Sequence, residues 1–301
     1  MTLADDAIRW YDDNARDLPW RRPGTTPWAV LVSEVMLQQT PVVRATPAWH
    51  AWMSRWPTPA ALAQDPVSEA IRMWGRLGYP RRAMRLHTCA VALVERHGGR
   101  VPDDLTELLA LPGIGTYTAR AVATFAYGRR HPVVDTNVRR VVARAVAGEP
   151  DAGPATTAAD LTAMADLLPE SEEHAARASI AFMELGAIVC TARSPRCPEC
   201  PFVSVCAWRR SGAPAPSGPT RRPQRYAGTD RQVRGLLLEV LRNATGPVPR
   251  QRLDVVWADE VQRARALAGL VDDGLVEPVG PDADRFALAG DVGPSDLVQP
   301  L

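Results

Sequence analysis

The chain has 301 residues, a hydrophobic fraction of 46% and a formal net charge of +1. This length predicts two or three domains, and the apolar content is ample for their cores. No apolar run is long enough to span a bilayer, and a near-neutral charge excludes recognition of a polyanion by overall charge alone. The first six residues lack the basic and apolar regions of a signal peptide, so we expect a cytoplasmic protein.

Basic and sulfur-containing residues follow an unusual pattern. All 35 basic residues are arginine, and the chain has no lysine. Genome composition bias would explain the absence of lysine. Whatever its cause, the chain has no side-chain amine that could act as a nucleophile. Four of the five cysteines lie within seventeen residues, which in a chain without a leader favours a metal or cluster over disulfides. Cys89 has an apolar helical context and is expected in the core.

The first third of the chain is predicted to be helical. Apolar spacing predicts helices at 3–14 and 28–40, followed by four more between Val43 and Arg96. Glu34 is a lone carboxylate in the apolar second helix, where it is either buried or on the solvent face. Burial would raise its pKa and keep it available as an acid.

Two helices are predicted around the sequence Leu111-Pro112-Gly113-Ile114-Gly115. The first has an apolar stripe from Leu105, and the second ends at Gly128. Glycines allow a tight turn and close approach of another backbone, and N–H groups at a helix N-terminus suit a phosphate. A connection with no ligand is the alternative, and the hairpin alone does not decide between them.

The rest of the chain divides into helices, a linker and a small domain. Helices are predicted at 155–168 and 172–189, and residues 211–226 are rich in proline, glycine and arginine, as in a linker. Three further helices (232–241, 250–256 and 260–270) precede two strands (275–278 and 285–288). Three helices and a hairpin predict a winged-helix-like domain.

The cysteine spacing is the most specific motif. Cys190, Cys197, Cys200 and Cys206 are separated by six, two and five residues. Tetrahedral zinc is the competing interpretation, but only one CxxC pair is present. Together with the hairpin and Asp135, this loop makes the chain resemble helix-hairpin-helix DNA glycosylases of the endonuclease III and MutY branch. The resemblance covers residues 8–210 and implies a [4Fe-4S] cluster and a mainly α-helical fold with two lobes.

The resemblance also implies roles for the catalytic residues. The string from Ser33 to Thr40 resembles the MutY motif, in which a glutamate, here Glu34, protonates adenine and a glutamine, here Gln39, lies near the lesion. Asp135 would stabilise the charged sugar, and Tyr117 and Asn137 would position the sugar and water. Tyr117 also stands where lyase-competent relatives have a catalytic lysine, which implies an enzyme that only hydrolyses the glycosidic bond.

The resemblance also implies which residues contact DNA. The expected contacts are as follows: Arg16, Trp20, Arg21 and Glu184 with the extruded adenine, Tyr79 as a wedge between bases, and the backbone of Gly113, Ile114 and Gly115 with a phosphate. Pro80 replaces the usual second aromatic residue of the wedge. Arg81, Arg82 and Arg85 could also meet phosphates.

The sequence thus predicts an adenine DNA glycosylase of the MutY type. Its partner would be double-stranded DNA with adenine opposite 8-oxoguanine or guanine, bound by a monomer in the nucleoid, with the adenosine flipped out. The alternatives are a glycosylase for another mispaired base, such as thymine opposite guanine, and a non-catalytic damage binder. We expect an iron–sulfur lobe at 1–26 and 131–210, a helix-hairpin-helix lobe at 27–130, a linker at 211–226 and a winged-helix-like domain at 227–301.

The C-terminal domain departs from the family pattern. The usual domain is a larger Nudix-like fold that recognises 8-oxoguanine, and the remaining length does not accommodate it. The small domain is therefore a general DNA clamp, a protein-binding module or the lesion reader. Arg221, Arg222 and Arg225 of the linker suit a path along phosphates, and the last helix, which carries Arg263 and Arg265, could lie in a groove. We favour the clamp, because acidic residues surround that helix and weaken its attraction for DNA.

Overall fold

The computed structural model describes residues 2–153, 158–215 and 226–293, and this part is mainly helical. The helices before residue 150 are α1 (Leu3–Asn14), α2 (Pro27–Leu37), α3 (Val42–Arg55), α4 (Pro59–Gln64), α5 (Val67–Trp74), α6 (Arg81–His97), α7 (Leu105–Leu109), α8 (Thr116–Tyr127) and α9 (Thr136–Val142), which continues as one π-helical turn (Ala143–Ala147). The later elements are α10 (Ala158–Leu167), α11 (Glu172–Ile188), α12 (Ala207–Arg210), α13 (Asp230–Arg242), β1 (Val248–Pro249), α14 (Arg250–Asp254), α15 (Glu260–Asp272), β2 (Val276–Val279) and β3 (Arg285–Leu288).

Most predicted elements are present, with shifted ends. The four helices expected between Val43 and Arg96 are α3 to α6. The helix expected at 28–40 ends at Leu37, because Gln39 adopts a left-handed backbone with φ of 55°. No helix in the described ranges is long and apolar enough to cross a membrane.

The chain divides into two compact units. The first contains Met1–Glu34, Pro102–Ala110 and Ile114–Thr220, and the second contains Val35–Val101, Leu111–Gly113 and Arg221–Leu301, each as far as it is described. Each unit therefore combines segments that are far apart in sequence.

Local sequence explains where several helices begin and end. Thr2 and Asp5 form a reciprocal capping box at the start of α1, and Asp104 caps α7 through two backbone N–H groups. Gly128 ends α8 at a φ of 70°, as predicted. These residues set the starts of α1 and α7 and the end of α8.

The core of the first unit lies between α1, α9 and α11. Ala178 and Ala181 of α11 are fully buried, and their small side chains allow α1 and α9 to approach closely. Phe182 packs against Phe202 of the cysteine loop, with ring centroids 5.6 Å apart. The cysteine loop is thereby anchored to the same core as α9.

The second unit contains a tryptophan cluster on α3 and α5. Trp52 meets Trp56 and Trp74 edge to face, with centroids 4.7 and 5.7 Å apart, and all three rings are buried. The three rings therefore form part of the core of this unit.

The C-terminal region is winged-helix-like, as predicted. Its elements follow the order α13, β1, α14, α15, β2, β3, and the antiparallel sheet has the order β1-β3-β2. The short β1 was not predicted, because two residues carry no readable alternation. In β3, Phe286 lies opposite Val248 on one side and Pro278 on the other.

This region shares a core with α5 of the same unit. Ile71 is fully buried in a cluster with Leu237 and Leu270. Arg242 donates to the Ile71 carbonyl at 3.0 Å, and Arg72 donates to the Asp291 carboxylate at 2.7 Å. The winged-helix-like region is therefore packed against α5 by apolar and polar contacts.

The arginines proposed for its last helix already have partners. Arg263 donates to Asp254 and to the Trp257 carbonyl, and Arg265 forms two hydrogen bonds with Asp230. Their charges are thus partly neutralised within the domain. Arg221, Arg222 and Arg225 lie outside the described residues.

Packing against α5 can be tested by cavity formation. Ile71→Ala should lower the free energy of unfolding by about 2–5 kcal/mol, because it removes a fully buried side chain where helices of two sequence regions meet. Denaturant unfolding measures this, with Val43→Ala, at a residue that is 79% exposed, as the control. Equal stability of the two variants would contradict the shared core.

Candidate active site

Glu34 is a buried acid on α2. Its side chain lies among the buried apolar residues of that helix, and the residue is only 6% exposed. Burial raises the pKa of Glu34 to about 7, although a hydrogen bond from Tyr117 and the charge of Arg21 oppose the rise. The solvent-face alternative is therefore wrong, and Glu34 can be protonated at neutral pH.

Tyr117 lies in the first turn of α8, and its hydroxyl group donates a hydrogen bond to the Glu34 carboxyl group. Burial and the neighbouring carboxylates of Glu34 and Asp135 raise the pKa of Tyr117 well above its ordinary value. The phenol therefore keeps its proton and acts as a donor. It fixes the orientation of the Glu34 carboxyl group.

Asp135 is the N-cap of α9. Its Oδ1 accepts from the backbone N–H groups of Asn137 and Val138 at 2.9 and 2.7 Å, and its Oδ2 accepts from the Asn137 amide at 2.7 Å. Burial raises the pKa of Asp135, while these hydrogen bonds favour the ionised form. The helix N-terminus thus holds a second carboxylate that is close enough to raise the pKa of Glu34.

Asn137 is positioned by two residues that sequence analysis did not select. A Cβ on Gly186 would lie 2.7 Å from the Asn137 carbonyl oxygen, so only glycine allows α11 to pass this close to α9. Arg140 donates to the Asn137 side chain and to the Gly186 carbonyl, each at 2.7 Å. A glycine inside a predicted helix was the available signal for the first contact.

An ionic cluster lies between the start of the chain and α11. Glu184 is fully buried and accepts two side-chain hydrogen bonds from Arg16, at 2.5 and 2.8 Å, and one from Arg21 at 2.8 Å. Burial would raise the pKa of Glu184, but the two guanidinium groups outweigh it and lower the pKa to about 2. Trp20, which is 5% exposed, lies in the short helical turn between the two arginines.

The hairpin turn between α7 and α8 has the conformation expected from its glycines. Gly113 has a φ of 77°, and a Cβ there would lie 2.8 Å from the Cβ of Arg85. Ile114 is 7% exposed and points into the core, and Gly115 is the exposed N-cap residue of α8. Backbone N–H groups at the start of α8 are therefore free of a side-chain cap.

Gln39 and Tyr79 belong to the second unit, and both are exposed. Tyr79 is 50% exposed and has a φ of 49°. The sequence suggested that Arg82 meets a phosphate. It cannot do so in this structure, because it is 6% exposed and bonds to backbone carbonyls. Arg81 forms an ion pair with Asp273.

The four clustered cysteines surround one region of the first unit. Cys206 is buried, the other three are half-buried, and Cys190, Cys197 and Cys200 pack against the core. Burial, with the charge of the other three cysteines as thiolates, raises the pKa of Cys200 to about 11. Four cysteines in one loop supply one thiolate for each iron of a [4Fe-4S] cluster. The donor set fits the cluster.

Arg144 holds this loop from the π-helical turn. Its guanidinium donates to the Cys190 Sγ at 3.5 Å and to the carbonyls of Thr191 and Ala192 at 2.8 and 3.1 Å. Its CZ atom lies 4.7 Å from the centroid of the Trp208 ring. No local sequence signal identifies this role of Arg144, because the residues of the cysteine loop that it bonds lie more than 40 positions further along the chain.

Comparisons with known proteins agree with this geometry. The model of the HhH-GPD superfamily of base excision DNA repair proteins matches residues 32–165, and that of the iron–sulfur binding domain of endonuclease III matches residues 190–206. The adenine DNA glycosylase of Mycolicibacterium smegmatis is 59% identical over 287 residues, or 95% of this chain and 96% of the relative. That of Mycobacterium tuberculosis H37Rv is 55% identical over 285 residues, or 94% and 92%.

A solved structure supports the same fold. A thermostable thymine-DNA glycosylase matches with a TM-score of 0.62 at 25% identity, covering 69% of this chain and 95% of that one. The iron–sulfur match decides the cofactor as a [4Fe-4S] cluster rather than zinc. The chain belongs to the adenine DNA glycosylases, DNA-binding repair enzymes of the HhH-GPD superfamily that hydrolyse an N-glycosidic bond.

Proposed function

We propose that this enzyme removes adenine mispaired with 8-oxoguanine or guanine in double-stranded DNA and leaves an intact abasic strand. The main support for this proposal is the state of Glu34, a buried acid with a pKa of about 7 that Tyr117 orients beside the carboxylate of Asp135. The target bond is unreachable inside the base stack, so the adenosine is extruded before reaction.

Glu34 acts as the general acid. At neutral pH a large fraction of its carboxyl groups is protonated, because burial disfavours the charged form. Transfer of this proton to a ring nitrogen of adenine makes the base a neutral leaving group. The hydrogen bond from Tyr117 then stabilises the carboxylate that remains.

Asp135 stabilises the sugar as the bond breaks. Positive charge develops at the anomeric carbon, and a carboxylate fixed by two backbone N–H groups and one amide needs little reorganisation to meet it. Water, positioned by Tyr117 and Asn137, then attacks this carbon and releases a proton, which the Glu34 carboxylate takes up to restore the acid. Two carboxyl groups with different protonation states follow the general logic of glycoside hydrolysis.

The arginine cluster forms the adenine pocket. Arg16 and Arg21 are held by the buried Glu184, and Trp20 supplies an apolar surface between them. The Glu184 carboxylate stays ionised, but it is fully buried and each of its oxygens already accepts two hydrogen bonds from Arg16 and Arg21. Its role is therefore to hold the two guanidinium groups that border the pocket.

Two other surfaces bind the duplex. The backbone of Gly113, Ile114 and Gly115 leads into the uncapped N-terminus of α8 and suits a DNA phosphate. Gln39 and Tyr79 contact the mispair, Tyr79 as the wedge between bases. Bound in its loop, the [4Fe-4S] cluster orders the segment between Cys190 and Cys206. The protein acts as a monomer, and the C-terminal domain adds affinity for all duplexes.

Replacement of the acid tests the mechanism directly. Glu34→Gln keeps the shape of the side chain but removes the proton, so single-turnover adenine release should fall by about 10³-fold or more while lesion binding is retained. Glu95→Gln, at an exposed position on α6, is the control and should retain full activity. Near-normal excision by Glu34→Gln would rule out the role of Glu34.

The two carboxyl groups also set the pH dependence. Protonated Glu34 declines as pH rises through about 7, so the single-turnover rate should fall about tenfold per pH unit above that value. Asp135 must be ionised, and burial raises its pKa, so a second decline is expected at acid pH. A bell-shaped rate profile is the expected result, whereas a rate that is constant between pH 6 and 9 would contradict it.

The absence of side-chain amines predicts the product. No Schiff base with the sugar can form at Tyr117, so borohydride should trap little covalent DNA complex, and the abasic strand should stay uncut without alkali. Tyr117→Lys supplies an amine at this position and is the positive control for trapping. Efficient trapping of the unmodified protein would overturn the monofunctional mechanism.

A further inference from the structure

Two exposed turns of the second unit share an unusual backbone conformation. Gln39, after α2, has a φ of 55°, and Tyr79, between α5 and α6, has a φ of 49°. They are two of only four non-glycine residues with positive φ in the described ranges. A side chain in this region is strained and persists only where its surroundings fix it.

Arg82 binds the first of these turns. Its NH1 group donates to the carbonyls that α2 leaves without helical partners, those of Val35 at 2.9 Å, Met36 at 3.1 Å and Gln38 at 2.5 Å. Its NH2 group donates to the Thr40 hydroxyl at 3.1 Å. The residues on both sides of Gln39 are therefore held by one guanidinium group.

The same guanidinium binds the second turn. NH2 also donates to the Gly78 carbonyl at 3.0 Å, immediately before Tyr79. The guanidinium carbon lies 5.3 Å from the Tyr79 ring centroid and 5.2 Å from that of Trp74. The Thr40 hydroxyl also donates from the first turn to the Leu77 carbonyl, at a long distance of 3.4 Å.

Burial of the Arg82 guanidinium group in this arrangement costs desolvation free energy. Arg82 is 6% exposed, no carboxylate pairs with it in the described part of the chain, and its buried Nε has no hydrogen-bond partner. Burial lowers the pKa of Arg82 to about 10. Purely structural packing would be served as well by an apolar side chain, so the cost points to a geometric role.

We propose that Arg82 is a positioning residue that fixes Gln39 and Tyr79 relative to each other, so that both turns meet the mispair as one preformed surface. This inference rests on the proposed function, in which Gln39 and Tyr79 contact the DNA. Arg82 itself is buried and acts through them. Its loss should therefore weaken recognition of the mispair through two turns at once.

The coupling itself can be tested without DNA. Arg82→Met keeps the length of the side chain and removes every donor, so amide hydrogen exchange should accelerate at both 38–40 and 78–79. Arg130→Met is the matched control, since Arg130 likewise donates to three backbone carbonyls, those of Pro169, Ala165 and Leu168. Acceleration at one turn alone, or equally in both variants, would overturn the coupling.

The consequence for recognition is tested by a double-mutant comparison. Arg82→Met should weaken binding to an 8-oxoguanine:adenine duplex by about tenfold in the parent, but by less than about twofold in a Gln39→Ala/Tyr79→Ala background. The probe is a duplex carrying a non-cleavable adenosine analogue. Equal losses in both backgrounds would mean that Arg82 only stabilises the fold, and the proposal would be wrong.

Arg82→Lys keeps the experiment decisive if Arg82→Met does not fold. An ammonium group retains the charge but cannot bridge five acceptors, so the same two readouts should change in the same direction by a smaller factor. Unchanged exchange and binding in this variant would contradict the proposal. If the parent releases no adenine from either mispair, the proposed function fails, whereas the exchange result still decides the coupling.

Discussion

The proposed chemistry of this protein depends on burial of one carboxyl group. Glu34 lies in an apolar helix with no basic residue bonded to it in the described structure, and burial brings its pKa to about 7. A salt bridge would have kept the group ionised and useless as an acid. Tyr117 instead offers a neutral donor, which orients the carboxyl group without removing its proton.

A contrasting environment surrounds the other two carboxylates of the candidate site. Asp135 accepts three hydrogen bonds at the start of α9, and Glu184 is paired with Arg16 and Arg21. The three acids thus have different classes of partner: a phenol for Glu34, backbone and side-chain amides for Asp135, and guanidinium groups for Glu184. The proposed division of roles between acid, sugar stabiliser and pocket anchor rests on these partners.

Sequence patterns predicted the helices, the winged-helix-like region and the isolated acid at Glu34, because each of these features depends on residues that are close together in the sequence. They did not reveal Arg82, Arg144 or the close contact of Gly186 with Asn137, since those interactions join residues 40 or more positions apart. Arg82 was even expected at the surface, because nothing local distinguishes a buried arginine from an exposed one. The left-handed turn at Gln39 that ends α2 is likewise flanked by groups that the distant Arg82 side chain binds.

The central claim is that this pocket excises adenine from a mispair. It is tested most directly by single-turnover base release from a matched set of duplexes that differ only in the pair: adenine opposite 8-oxoguanine, guanine or thymine, and thymine opposite guanine. The account predicts release of adenine opposite 8-oxoguanine and guanine, with little release from the normal pair and none of thymine. Release of thymine, or binding of these duplexes with no base released from any of them, would contradict it.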